Sequence, residues 1–81
     1  MTATTNGMPP PNTLTISPAQ QRDVLNQEIA IWLGERYRME VRRRVQVRAG
    51  AEPEVLANID AQLARCEVAL DVLQQELAAL T

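Results

Sequence analysis

The sequence predicts an all-α fold: an antiparallel two-helix, coiled-coil-like hairpin behind an extended proline-rich N-terminal tail, assembling with further helices into a bundle. Three observations carry that expectation. Leu56, Ile59, Leu63, Cys66, Leu70, Leu73, Leu77 and Leu80 follow one another at alternating spacings of three and four. That is the a/d stripe of a helix that packs lengthwise against another helix. Ahead of it, the stretch 18–49 contains no proline and a single glycine after its opening Pro18. Between the two lies Gly50-Ala51-Glu52-Pro53, a connection too short for anything but antiparallel neighbours.

The elements follow in order. Residues 1–16 carry no charged side chain and include Met8-Pro9-Pro10-Pro11-Asn12, which favours polyproline II and excludes helix. This segment reads either as a flexible tail or as an arm that docks on a neighbouring subunit through Leu14 and Ile16. Residues 17–81 form the hairpin, with a first helix over 18–49, a turn at 50–52 and a second helix over 53–80. Ser17-Pro18-Ala19-Gln20 has the form of a capping box, with proline at the first helical position. Gly50 is placed as the C-terminal stop.

The first helix is apolar on two faces. Leu25, Ile29, Trp32 and Leu33 cluster within about 100° of one another, whereas Tyr37, Val41 and Val45 cluster about 135° away, at about 100° per residue. Gly34 lies between the groups. One glycine costs only about 1 kcal/mol in a helix, so a continuous helix that shows different faces to different neighbours is expected. Arg44-Val45-Gln46-Val47-Arg48 alternates as a strand would. With no partner strand in the chain, it reads as helix. The second helix opens at Pro53, with Glu52 and Glu54 where the helix dipole favours negative charge.

Eighty-one residues support one domain at most, near the size where a single core struggles to stabilise itself. Two helices share one interface and leave Trp32, Tyr37, Val55, Val68 and Val72 partly uncovered, so association is expected, most simply of two hairpins in a four-helix bundle. Leucine at the a positions 56, 63, 70 and 77, with isoleucine or leucine at three of four d positions, leans towards more than two strands. The flanking positions of the second helix (Asp60, Glu67, Gln74; Gln62, Ala69, Glu76) are acidic or neutral. A parallel self-pair would gain no ion pairs there, which favours the arginine-bearing first helix as its neighbour.

Charge is divided in the same sense. Residues 17–50 hold seven arginines and four acids, whereas residues 51–81 hold one arginine and six acids. The overall net charge of −2 therefore hides a basic half and an acidic half, an arrangement suited to pairing of the two with each other or with copies. Arg36, Arg38, Arg42, Arg43, Arg44 and Arg48 make a basic patch, but on a helix they spread almost all round, and one tyrosine is no stacking platform. Nucleic-acid binding is thus the second alternative, and a basic membrane-surface helix is disfavoured by the same scatter.

The chain has no histidine and one cysteine, Cys66. This excludes disulfide scaffolds and the usual zinc clusters and offers no general base or exposed nucleophile beyond carboxylates. Glu35 and Glu40 flank Arg36 and Arg38 as a solvated face, not as an acid–base pair. No catalytic residue, metal site, cofactor or small-molecule substrate is expected. The first residues lack the basic and apolar regions of a signal peptide and no apolar run could span a bilayer, so a soluble cytoplasmic protein is expected.

From Gly50-Ala51-Glu52-Pro53-Glu54-Val55-Leu56, followed by Ile59-Asp60 and the leucine repeat, the last 35 or so residues resemble the effector-associated helical hairpins of bacteria. Those short modules flank catalytic or nucleotide-binding domains in multidomain signalling and conflict proteins. The departures are a first helix rich in arginine and valine, not in leucine heptads, and the expectation that no effector domain follows. The resemblance implies homotypic adaptor binding. The functional expectation is a non-enzymatic protein–protein interaction module, adaptor- or scaffold-like, acting through the leucine seam by self-association or on another helical protein. Its first alternative is a small structural subunit of a larger assembly, of phage or multi-protein kind.

Overall fold

A computed structural model describes residues 16–80. Two α-helices, α1 (Pro18–Arg48) and α2 (Pro53–Ala79), pack against each other as a hairpin. The proline-rich run and Leu14 lie outside the described residues.

The entry to α1 is fixed locally. The Ser17 hydroxyl accepts from the Gln20 backbone N–H (3.1 Å), and the Gln20 side-chain carbonyl accepts from the Ser17 N–H (2.9 Å). Both groups would otherwise be orphan donors of the first turn. Gln21 adds a bond from its side-chain amide to the Ile16 carbonyl at 3.1 Å. From there α1 runs through Gly34 and the alternating 44–48 stretch without a break, as expected. A Cβ at Gly34 would meet nothing within 4 Å, so the glycine sits over open space and no packing contact requires it.

The helix stops at a Schellman turn. Gly50 takes a left-handed φ of 76°, its N–H donates to the Val47 carbonyl (3.1 Å), and the Ala51 N–H donates to the Gln46 carbonyl (3.0 Å). Only glycine takes that backbone conformation without a steric penalty. Ala49 becomes the cap, so the helix ends one residue before the position expected. Glu52 is extended and caps α2 through its backbone alone, its carbonyl accepting from Val55 and Leu56 at 3.0 and 3.4 Å. Pro53 then occupies the first helical position, where its missing N–H costs nothing. The distal end of α2 falls at Ala79, with Leu80 as cap.

At 1.5 Å per residue, α1 is about 46 Å long and α2 about 40 Å. Their shared seam is long and thin. Among the described residues, only Met39, Ile59, Cys66 and Leu70 are buried. They sit near the middle of the hairpin, and the rest of the seam is half-covered.

Candidate interaction surfaces

The α2 side of the seam is made by the eight residues of the leucine repeat. Ile59, Cys66 and Leu70 are buried, and Leu56, Leu63, Leu73, Leu77 and Leu80 are half-buried. Every other α2 residue except Ala69 is exposed. The stripe is therefore turned towards α1, and much of its apolar surface is consumed inside the hairpin.

The α1 side differs from the expected one. Leu25, Ile29 and Trp32 are half-buried as predicted. The stripe then continues through Arg36, Met39, Arg43 and Gln46, again at alternating spacings of four and three, and all are buried or half-buried. Leu33, Tyr37 and Val45 lie outside it and are 43%, 63% and 57% exposed. Val41 is half-buried, yet the spacing puts it on the side of α1 away from the seam. The apolar group Tyr37, Val41 and Val45 thus belongs to the outer face of α1. The inner face keeps a heptad course by accepting two arginines and a glutamine. Met39, 6% exposed, is the core residue that the apolar grouping misses. Its signal is the four-three spacing that extends from Leu25, Ile29 and Trp32, with long polar side chains allowed at the seam.

Those arginines are accommodated because their charged ends reach acids at the flank of α2. Arg43 makes a two-pronged contact with Asp60, Nε to Oδ1 at 2.7 Å and Nη2 to Oδ2 at 3.3 Å. Arg36 Nη1 donates to Glu67 Oε2 at 3.2 Å and its Nε lies 4.0 Å from Glu40 Oε2. Arg36 and Arg43 are one heptad apart, as are Asp60 and Glu67, so the two bridges are successive rungs of one antiparallel register. Continuing it by another heptad places Ile29 level with Gln74, and the ladder ends. The turn-proximal half of the hairpin is clipped by ions, and among the described residues no ion pair joins the helices in the distal half. The flank of α2 does meet the arginine-bearing helix.

The Arg43 hydrogen bond, more than its charge, holds the Asp60 carboxyl below the usual aspartate range against the opposing effect of partial desolvation. The same bond raises Arg43. Both groups are solvent-exposed, so the pair sets register more than it adds stability.

Of the six arginines in the basic patch, Arg36 and Arg43 are engaged with α2, and Arg38 pairs with Glu35 on its own helix. Arg42, Arg44 and Arg48 are exposed and make no ion pair with a described residue. Cys66 is 2% exposed and packed in the seam beside Trp32, so its thiol faces no solvent.

Several large apolar side chains remain outward on both helices. Val24, Ile31, Leu33, Tyr37, Val45 and Val47 on α1, and Val55, Val68 and Val72 on α2, are all at least 37% exposed. Among the described residues no helix is long and apolar enough to cross a membrane. No protein family matches the chain, and no curated protein or solved structure does either.

Proposed function

We propose that this protein is a non-enzymatic assembly module, adaptor- or scaffold-like, whose hairpin is completed by another helical chain, in the first place a copy of itself. The observation that carries this reading is the imbalance of its surface. Among the described residues, four side chains are buried while ten large apolar ones stand exposed. Monomeric proteins tolerate scattered apolar residues, but contiguous apolar faces mark association sites. A hairpin with one thin seam has no second layer of its own to cover them.

Two features support the homotypic form of the reading. The ion ladder fixes one register between α1 and α2, so a hairpin presents reproducible outer faces. Three of the patch arginines are neutralised by acids of the same chain, which leaves no continuous cationic track for a phosphate backbone. The same features serve a structural subunit of a larger assembly equally well; what differs is the partner. The likeness to effector-associated hairpins rests on the turn and α2 residues quoted above and agrees with an adaptor role.

Sedimentation velocity at micromolar concentration tests the reading. The expected result is a species heavier than the 9.0 kDa chain. A fully helical 9.0 kDa species at every concentration would sink it.

A further inference from the structure

We propose that the outer face of α1 is the contact between two copies of this chain, which pair antiparallel about a two-fold axis near Gly34. This rests on the self-association reading and assigns it a surface and a geometry.

The outer face has a heptad course of its own. Val24, Gln27, Ile31, Gly34, Arg38, Val41, Val45 and Arg48 follow at alternating spacings of three and four, opposite the seam. Val24, Ile31 and Val45 on this course are exposed. Gly34 stands over open space. Such a stripe can form a second coiled-coil seam.

Charge selects the occupant and the direction. The acids of α1 without an ion pair among the described residues are Asp23 and Glu28, both in its first half. Its unpaired arginines next to the outer stripe are Arg42, Arg44 and Arg48, all in its second half. Arg22, the remaining unpaired arginine, is exposed beside Asp23 in the first half, which still leaves that half with an excess of unpaired acid. A parallel pairing would set arginines against arginines. An antiparallel one sets the acids of each copy against the arginines of the other, twice over by symmetry. The register that sets Ile31 against Val41 of the second copy also places Glu28 beside Arg42 of that copy, on the same flank of the contact. It places Gly34 opposite Arg38, where the missing side chain leaves room for the arginine stem. The α2 helix offers no such self-complementarity, because it carries one arginine, Arg65, against five exposed acids spread along its length.

Charge reversal decides the question. Glu28 and Arg42 are exposed and make no ion pair with a described residue, so Glu28→Arg and Arg42→Glu leave the hairpin folded, which circular dichroism monitors. Each single variant is expected to weaken self-association by about tenfold or more, since like charges are then juxtaposed at two symmetric points. The double variant, which restores opposite charges with their signs exchanged, is expected to recover wild-type mass in sedimentation. Single variants that associate as tightly as wild type would overturn the α1 contact while leaving self-association in place through another face. Weakened singles without recovery in the double would overturn the register. A wild type that never exceeds 9.0 kDa would remove both this contact and the reading beneath it.

Discussion

Leu70 is the deepest leucine of the seam, 4% exposed, and its truncation reports directly on how well that seam is formed. Leu70→Ala removes buried carbons and leaves a void that two helices can only partly close. Leucine-to-alanine changes in cores cost about 2–5 kcal/mol, with the lower values where the site can collapse. A two-helix seam is open along both flanks and can collapse, so about 2–3 kcal/mol is expected. For a domain of this size each 1 kcal/mol moves the melting temperature by about 4–8 °C, which gives a drop of about 10–20 °C. The assay is thermal melting by circular dichroism at matched protein concentration, because association makes the midpoint concentration-dependent. Val68→Ala is the control. Val68 is 64% exposed on the outer side of α2, and a change within about 0.5 kcal/mol is expected. A Leu70→Ala shift below about 2 °C, or one no larger than that of Val68→Ala, would refute the seam as the source of the hairpin's stability. Leu70→Asp, which buries an unpaired carboxylate, is expected to abolish the hairpin and any assembly built on it.

Three further outcomes follow from the same geometry. Gly34→Ala should raise the helicity of the dilute single hairpin, because within one chain the added methyl meets nothing, and should weaken self-association, because the methyl crowds Arg38 of the second copy; tighter association of Gly34→Ala than of wild type would contradict that packing. Arg43→Gln should cost stability at neutral pH and progressively less in acid. The Asp60 carboxyl is held below its ordinary value in the folded chain, so its contribution is present above that value and lost as pH falls through the lowered one. Parallel pH-dependent melts check this, and a gap between the two proteins that widens below about pH 4 would contradict it. Cys66 should resist a thiol reagent in the native protein and react stoichiometrically in denaturant; fast native reaction would place it outside the seam.

The two helices were unequally legible in the sequence. The α2 stripe is apolar at every seam position, so its period stands out, and the capping box and Gly50 stop announce the α1 ends through local chemistry alone. The inner face of α1 is hidden because Arg36, Arg43 and Gln46 occupy seam positions. Their aliphatic stems lie along the interface while the polar ends reach its edge. Within α1 only the four-three spacing from Leu25, Ile29 and Trp32 separates these arginines from Arg42 and Arg44, and a grouping by apolar residues does not register it. The antiparallel register then brings Asp60 and Glu67 alongside them. The apolar trio Tyr37, Val41 and Val45 draws attention to the opposite face. That face has no partner among the described residues, and the proposed contact between copies gives it one.

The most direct test of the central claim, that this hairpin is completed by association, is the melting temperature as a function of protein concentration, read by circular dichroism from submicromolar to hundred-micromolar. Folding coupled to association predicts a midpoint that climbs steadily with concentration and helicity that fades on dilution. A midpoint and helicity independent of concentration would show that two helices and one thin seam suffice, and would contradict the account.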